Sequence, residues 1–207
     1  MGLPGSGKGT QGQILATKLN IPTISIGNMF RDMLHKDGEE AKLLDEYLSE
    51  GKLVPSELTN RIVQKILLLD EQKNGCILDG YPRNLVQAEF LEKITNKKLV
   101  IIFFDVKDEV VIRRVLGRFN CTDCAKIYNS HYKKPIIDGI CDVCGSNKFI
   151  YRQDDNEEVI RKRIEEYKKE TFPLINYYKD SENFYFIDAQ QDQEEVATRL
   201  GALLKII

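Results

Sequence analysis

A glycine-rich segment close to the start of the chain constrains the fold more than any other feature. Residues 2–10 read GLPGSGKGT, which contains the pattern GxxxxGK, and a helical pattern with apolar residues at Ile14, Leu15 and Leu19 follows at once. Glycines let backbone N–H groups curl around a phosphate, the lysine adds a positive charge, and the helix N-terminus adds its dipole. The segment predicts a phosphate-binding loop, and a flexible glycine-rich terminus is the alternative. The residues of the predicted loop are Gly5, Ser6, Gly7, Lys8, Gly9 and Thr10.

Two details of this loop depart from the general pattern. Gly9 follows the lysine where a magnesium-binding serine or threonine is usual, and Thr10 comes one residue later. The loop therefore does not predict direct coordination of magnesium by a hydroxyl. A phosphate loop also normally follows a buried strand, yet only Met1 precedes Gly2. We therefore expect the first strand to be missing from this sequence, and roughly four to eight mostly apolar residues upstream of Met1 to form it.

The remainder of the chain alternates between strand and helix patterns. Continuous apolar runs, typical of strands covered on both faces, occupy residues 76–78, 99–104 and 184–187, after a short strand at 23–26. Helical patterns occupy residues 29–34, 41–48, 56–73, 85–94, 109–118, 156–178 and 193–206, and Ser56 is a candidate helix cap. This alternation predicts an α/β fold with a parallel sheet flanked by helices. Residues 119–151 lose the helical period and predict an inserted small domain.

The charge of the chain limits the partners that it can attract. Its 30 basic and 32 acidic side chains give a formal net charge of -2, so the protein has no overall field that attracts nucleic acid or an anionic membrane. A bound anion must therefore meet a local cluster of positive charge. The longest apolar run, residues 99–104, is far shorter than the roughly 18 to 20 residues of a membrane span. We expect a cytoplasmic protein without nucleic-acid or membrane partners.

Four of the five cysteines form two matched pairs. Cys121, Cys124, Cys141 and Cys144 fit C-x2-C-x16-C-x2-C, the spacing of two knuckles that share one tetrahedral zinc ion. Free thiols or redox pairs are the alternative. Four thiolates leave no open coordination position, so the zinc would be structural and would stabilise a segment too small for its own core. The fifth cysteine, Cys76, lies in an apolar run and is expected in the core.

A second motif completes a family resemblance. With GCILDGYPR at residues 75–83 added to the phosphate loop, the chain resembles the adenylate kinases, and the resemblance extends from Gly2 to the end. It implies a P-loop nucleoside kinase fold with a helical insertion for the nucleoside monophosphate and a zinc-binding lid. The implied organisation is a core of residues 1–24, 55–117 and 153–207, an insertion of residues 25–54 and a lid of residues 118–152. The resemblance also implies a monomer.

The resemblance implies a pocket for AMP in the helical insertion. Arg31 would bind the phosphate, residues 52–54 would pack on adenine, and Gln87 would read the edge of the base. Ile26 and Asn28 stand where the family usually has threonine and aspartate, which leaves the arginine in place. The implied AMP-binding residues are Ile26, Arg31, Lys52, Leu53, Val54, Gly80, Arg83, Gln87, Arg152 and Arg163.

The resemblance also implies an ATP site beside the lid. Arg114 and Arg118 match the arginine pair at the lid hinge, and Arg152 lies where the lid rejoins the core. Taken singly, each of these could be a solvated helical arginine. The implied ATP-binding residues are the phosphate loop together with Arg114, Arg118, Tyr128 and Gln191. The acidic residues that follow, Asp154, Asp155, Glu157 and Glu158, could favour the start of a helix or hold the arginines, and the sequence leaves both open.

The implied reaction is reversible phosphoryl transfer between ATP and AMP, which gives two ADP. The phosphate of AMP has a second pKa of about 6, so the dianion can attack without a general base. The chemistry instead requires positive charge on the transferring group, which the resemblance assigns to Lys8, Arg83, Arg118, Arg152 and Arg163. Asp79 ends its predicted strand, where open α/β sheets place ligands, and is expected to hold magnesium through waters.

Two other functions compete with this interpretation. A kinase for UMP or CMP shares most of the motifs, although Gln87 and the long metal-binding lid favour AMP. A zinc-ribbon binding protein that uses its phosphate loop as a nucleotide switch is the second alternative. A ribbon that binds nucleic acid should be strongly basic. The segment from Cys121 to Cys144 contains three lysines and three aspartates, so its net charge is near zero.

Overall fold

The computed structural model describes residues 1–35 and 38–203. The first part of the chain forms a loop followed by helices, with one short strand between the first two. The helix after the loop ends where Asn20 adopts a left-handed backbone with φ of 53°. Ser56 is the first residue of its helix rather than the cap, because Pro55 holds the cap position. The elements are α1 (Lys8–Leu19), β1 (Thr23–Ser25), α2 (Ile26–Leu34), α3 (Glu39–Ser49), α4 (Ser56–Leu67) and a 3-10 turn (Asp70–Gln72).

The remaining strands and helices alternate as predicted and confirm the α/β class. The predicted long helix over 156–178 is divided by a π-helical turn at Tyr167–Thr171, and residues 204–206 of the last predicted helix lie outside the described residues. The elements are β2 (Ile77–Asp79), α5 (Leu85–Ile94), β3 (Ile101–Asp105), α6 (Asp108–Leu116), β4 (Arg118–Cys121), β5 (Ile127–Asn129), β6 (Phe149–Ile150), α7 (Glu157–Glu166), α8 (Pro173–Tyr178), β7 (Phe184–Asp188) and α9 (Gln193–Leu203).

The parallel strands form two pairs in the described structure. β1 pairs with β2 and β3 pairs with β7, with Ser25 opposite Asp79 and Asp105 opposite Asp188. The expectation that each apolar run is covered on both faces is wrong in part, since all three residues of β2 are only half-buried and Phe186 is 56% exposed. Gly2 forms a parallel bridge with Phe104, so the loop approaches the inner edge of β3.

Two apolar clusters hold the helices against these strands. The larger includes Phe103, Val111 and Ile160 and joins β3 and β7 to α6, α7 and α9. The second includes Phe30 and Leu44, and it joins α2, α3 and α4 to the face of β1 and β2. Among residues 1–35 and 38–203, no helix combines the length and the apolar character that a membrane crossing needs.

β4, β5 and β6 form a separate antiparallel sheet, in the spatial order β5-β4-β6. Its small core contains Cys121, Tyr128 and Cys141, with Phe119 and Phe149 packed against them. Such a small core buries little apolar area, so a further cross-link would contribute a large share of its stability.

Candidate active site

The phosphate loop presents an open helix N-terminus. Gly5 and Gly7 have φ of 79° and 92°, a left-handed conformation that favours glycine. Gly5 also needs its small size, because a Cβ there would lie 2.6 Å from the Cγ2 of Val115. The cap residue of α1 is Gly7, which has no side chain to bond the first N–H groups of the helix, so these groups can bind an anion. The loop therefore has the backbone form that a phosphate requires.

Lys8 is held in the loop as a half-buried cation. Its Nζ donates to the carbonyl oxygen of Leu3 at 3.0 Å. Burial lowers the pKa of Lys8 to about 8, and repulsion from Arg83, Arg118 and Arg163 adds to this effect, whereas Asp79 opposes it. A lysine whose charge is disfavoured in the free protein gains from an anion, so this site favours phosphate.

Asp79 lies beside the glycine that replaces the usual hydroxyl residue. A Cβ at Gly9 would lie 3.0 Å from the Oδ2 of Asp79, so the carboxylate occupies the space that a side chain at this position would take. Asp79 Oδ1 is buried and has no hydrogen-bond partner in the described part of the chain, while Oδ2 accepts from Ser25 Oγ at 3.5 Å. Oxygen ligands suit magnesium. The residues present therefore fit a magnesium ion that arrives with a nucleotide.

The turn after β2 orients Arg83. Gly80 has φ of 84°, and its carbonyl oxygen accepts from Arg83 Nε at 2.9 Å. The backbone of Arg83 is fixed on both sides, because its N–H donates to Gln87 Oε1 at 2.8 Å and its carbonyl accepts from Thr171 Oγ1 at 2.7 Å. Burial, followed by repulsion from Arg163, lowers the pKa of Arg83 to about 10. Arg83 is thus a preorganised, half-buried cation.

Two aspartates after the lid hold three of the predicted arginines. Asp155 accepts from Arg118 through both oxygens, with Nε to Oδ2 at 2.7 Å and Nη2 to Oδ1 at 2.5 Å. Asp154 pairs with Arg163 and, at 3.4 Å, with Nη1 of Arg31. Burial opposes ionisation of Asp154, but Arg163 and Arg31 outweigh it and lower its pKa. The question that the sequence left open is thereby answered, since these two acids hold the arginines.

The other two acids of that group act only on the helix surface. Glu157 pairs with Arg161 and Glu158 pairs with Lys162, each four residues apart on α7 and exposed to solvent. Such pairs stabilise a helix weakly.

Arg152 is a half-buried cation, and none of the ion pairs among the described residues includes it. Within residues 1–35 and 38–203, its guanidinium has no hydrogen bond or ion pair to a protein group. Burial lowers its pKa to about 9, and repulsion from Arg118 and Arg31 acts in the same direction. A guanidinium that is partly removed from water gains from a charged hydrogen-bond partner, so the position of Arg152 suits a phosphate group.

These groups line one cleft of about 1280 Å³. Basic side chains on its wall outnumber acidic ones by eleven to four, although the whole chain has a formal charge of -2. The cleft brings together all six predicted catalytic residues, namely Lys8, Asp79, Arg83, Arg118, Arg152 and Arg163, and also Arg31. Its concentrated positive charge suits two polyphosphates better than a neutral ligand.

The predicted AMP-binding residues differ in what they can contact. Ile26 and Val54 are buried in the apolar cluster of the insertion, at 1% and 5% exposure, so Ile26 offers no polar contact to a base. Lys52 pairs at 2.5 Å with Glu50. Asn28 accepts from Arg31 Nη2 at 2.8 Å and so helps to orient that arginine. Leu53 and Gly80 border the cleft.

Gln87 is buried and hydrogen-bonded within the protein, beyond its predicted contact with the base. It is 2% exposed, its Oε1 accepts from the backbone of Arg83, and its Nε2 lies 3.5 Å from Ser56 Oγ. Its present contacts therefore stabilise the turn that carries Arg83, and only its amide nitrogen is weakly bonded.

Three predicted ATP-binding residues have contacts that the sequence did not indicate. Arg114 donates to the carbonyl oxygens of Ala189 at 2.8 Å and of Gln191 at 3.3 Å, so it braces the turn after β7 rather than reaching freely towards phosphate. Tyr128 borders the cleft, but it is 1% exposed and its hydroxyl donates to Cys141 Sγ. The hydroxyl of Tyr128 is therefore directed to the cysteine cluster and not to a nucleotide. Gln191 borders the cleft, and its Nε2 donates to Asp188 Oδ2 at 3.4 Å.

The four paired cysteines meet at one point in the lid. Their Sγ atoms all lie within 4.8 Å of one another. A tetrahedral zinc with Zn–S bonds of about 2.3 Å places sulfurs about 3.8 Å apart, so the cluster fits that ion. Burial opposes ionisation of Cys141, but hydrogen bonds from Tyr128 and nearby backbone amides outweigh it and lower the pKa of this thiol to about 6.

Several residues that shape the site escaped the sequence analysis. Thr171 lies in the π-helical turn and reaches Arg83, and Asn129 Nδ2 donates to the carbonyl of Arg114 at 2.7 Å, which ties the lid to α6. Gln11 Nε2 donates to the carbonyl of Gln193 at 2.7 Å. These contacts span long sequence separations, and no local motif marks them.

Comparison with known proteins gives a consistent result. Residues 1–183 match the family model described as adenylate kinase. A protein from Rickettsia africae named adenylate kinase is 51% identical over 206 residues, which cover 100% of this chain and 97% of that protein. Proteins of the same name from Rickettsia typhi and Rickettsia prowazekii are 51% and 49% identical over 207 residues, with the same coverage.

Proposed function

The chain belongs to the adenylate kinase family, and from this membership we propose how its cleft carries out the reaction. The enzyme transfers a phosphoryl group reversibly between ATP and AMP, giving two ADP. The observation that carries the proposal is the convergence of one lysine and five arginines on a single cleft of an otherwise nearly neutral protein. Phosphoryl transfer depends chiefly on such positioning and charge, because the protein has little covalent chemistry to perform.

In the proposed mechanism, ATP places its phosphates on the phosphate loop and Lys8. The phosphate of AMP binds Arg31, Arg83 and Arg163, and its dianion attacks in line without a general base. Arg118 and Arg152 place further positive charge on the transferring group. The uncapped N-terminus of α1 and the guanidinium of Arg152, which forms no ion pair within the described residues, support this assignment. Preorganised charges stabilise the transition state because they require no reorganisation during the reaction.

Asp79 is the proposed protein ligand for magnesium bound to ATP. Its buried and unpartnered Oδ1, together with the absence of a side chain at Gly9, supports this role. Magnesium, when bound, neutralises charge on the phosphate oxygens of ATP. Asp79 would hold this magnesium through water molecules that hydrogen-bond to its carboxylate.

Asp154 and Asp155 are proposed to hold the arginines in place before the nucleotides bind. Because Asp154 joins Arg31 of the insertion to Arg163 of α7, it keeps the two phosphate ligands of AMP near each other. Asp155 fixes Arg118 at the base of the lid. Closing of the lid over the nucleotides would exclude water, which otherwise hydrolyses ATP.

The AMP pocket is proposed to lie between residues 52–54, Gln87 and Arg31. Leu53 supplies apolar surface for adenine, and the weakly bonded amide nitrogen of Gln87 is available for the edge of the base. Ile26, which stands where the family usually has threonine, is buried and its side chain has no polar atom for the base. Selection for adenine is therefore assigned to Gln87.

The lid is proposed to bind one structural zinc ion through Cys121, Cys124, Cys141 and Cys144. The close approach of the four sulfurs supports this assignment. Zinc, when bound, fixes four thiolates and adds folding free energy to a sheet with a small core. The closed set of sulfurs leaves no position for substrate, so the lid residues stabilise and cover the site without joining the chemistry.

We also propose the wider organisation from the same membership. The core is residues 1–24, 55–117 and 153–207, the AMP-binding insertion is residues 25–54, and the lid is residues 118–152. The protein acts as a cytoplasmic monomer, and its substrates are ATP, AMP and ADP. The separate antiparallel sheet over β4 to β6 supports the lid assignment.

A coupled assay tests the proposed specificity. Purified protein with magnesium and ATP is given AMP, UMP or CMP in turn, and ADP formation is followed. We expect AMP to be the preferred acceptor by at least about tenfold, the scale of one lost polar contact. Faster turnover with UMP or CMP than with AMP would contradict the adenine assignment. If the Gln87→Leu variant turned over AMP as fast as the wild type, Gln87 would not read the base.

A further inference from the structure

A buried tyrosine of the lid touches a candidate zinc ligand. Tyr128 is 1% exposed, and its hydroxyl donates to Cys141 Sγ at 3.4 Å. The same hydroxyl oxygen accepts from the backbone N–H of Asp142 at 2.7 Å. The hydroxyl therefore makes one contact to the sulfur and a second to the residue that follows it.

The position of this hydroxyl is set by the sheet and not by the cysteines. Tyr128 lies on β5 opposite Phe119 of β4, and the two rings stack with centroids 5.7 Å apart. Phe149 packs against the tyrosine ring edge-on at 5.7 Å. Because the ring is confined on two sides, its hydroxyl has a fixed place and can act as a rigid support for the second cysteine pair.

The second cysteine pair is also tied on its other side. The carboxylate of Asp142 accepts from the N–H of Ile136 at 2.8 Å, within the segment that joins the two cysteine pairs. Cys141 is 2% exposed, so water cannot replace the hydrogen bond from Tyr128 at little cost. The hydroxyl is thus the side-chain donor that a buried thiolate at this position needs.

We propose that Tyr128 is a positioning residue of the zinc site. Its hydroxyl directs Cys141 Sγ towards the other three sulfurs and couples the zinc site to the sheet of the lid. The inference rests on the proposed zinc binding. Hydrogen bonds to metal ligands orient them, and their loss commonly lowers metal affinity by about 10 to 100-fold.

Three substitutions separate this role from simple packing. Tyr128→Phe keeps the ring and removes only the hydroxyl. Tyr132→Phe is the matched control, because Tyr132 also belongs to the lid but is 53% exposed. Phe149→Leu removes packing from the same aromatic cluster without removing a hydrogen bond to sulfur, because the phenylalanine ring carries no donor.

The experiment measures metal binding by the full-length protein. Zinc affinity is obtained by competition with a chromophoric chelator, and the thiolate-to-metal absorption band is recorded after replacement of zinc by cobalt. We expect Tyr128→Phe to weaken zinc binding by about 10-fold or more and to shift the cobalt band, whereas Tyr132→Phe should match the wild type. Phe149→Leu should lower thermal stability with a smaller effect on zinc affinity.

The outcomes distinguish this inference from the zinc proposal beneath it. If the wild type binds no metal, the zinc proposal fails and the role of Tyr128 fails with it. If the wild type binds zinc and Tyr128→Phe binds it within twofold with an unchanged cobalt band, only the role of Tyr128 is overturned. If Tyr128→Phe behaves as Phe149→Leu does, with lower stability alone, the hydroxyl serves packing and the inference is likewise overturned.

Discussion

Replacing Asp155 by asparagine should destabilise the protein by about 3 kcal/mol. Asp155 and Arg118 are joined by two hydrogen bonds, at 2.7 and 2.5 Å, and their side chains are 3% and 16% exposed. Asparagine can accept only one of these bonds, which leaves Arg118 without an anion. Breaking a buried pair costs about 3 to 5 kcal/mol, and the partial exposure of Arg118 favours the lower end.

Thermal unfolding followed by circular dichroism measures this loss. For a chain of this size about 3 kcal/mol corresponds to roughly 6 to 12 °C in Tm. The matched control is Glu157→Gln, which breaks the exposed pair with Arg161 and should leave Tm almost unchanged. A double-mutant cycle with Arg118→Met should give a coupling of at least about 1 kcal/mol. Equal Tm values for Asp155→Asn and Glu157→Gln, or zero coupling, would refute the reasoning.

Three further predictions concern catalysis, pH and metal. Lys8→Ala and Arg83→Ala should each lower kcat by about 100-fold or more in steady-state assays of folded protein, and an unchanged kcat would remove the assigned role. Because burial lowers the pKa of Lys8 from 10.5 to about 8, the unfolded chain binds more protons between these values. Stability measured by urea unfolding should therefore rise from pH 8 to 10 relative to Lys8→Met, while ATP affinity measured by calorimetry falls; parallel curves would contradict this assignment. Cys141→Ser should lower Tm while activity at low temperature stays close to that of the wild type. A large loss of activity with an unchanged Tm would indicate a catalytic metal.

Local signals predicted the elements that have strong boundaries. The helix predicted over residues 85–94 has those bounds in the structure, because Asn84 accepts from the N–H of Gln87 and starts the helix. The parallel strands were also found from their continuous apolar runs, although their burial was overestimated. The π-helical turn at Tyr167–Thr171 has no comparable sequence signal, so the predicted long helix was not divided there.

The sequence singled out many of the residues that line the cleft, but not the contacts between them. Glycine spacing and the cysteine pattern located the phosphate loop and the metal cluster, since both depend on neighbours in sequence. The pair of Arg31 with Asp154 joins residues 123 apart, and only the folded chain brings them together. The same holds for Tyr128, whose hydroxyl is directed to sulfur by the packing of Phe119 and Phe149.

The most direct test of the account follows the transferred phosphoryl group itself. ATP labelled in its γ-phosphate is incubated with AMP, magnesium and the purified protein, and the labelled products are separated. We expect label to appear in ADP, inorganic phosphate to stay near background, and Lys8→Ala to reduce the transfer by about 100-fold. Label that appears mainly as inorganic phosphate, or that stays in ATP when folded protein and AMP are both present, would contradict phosphoryl transfer by this cleft.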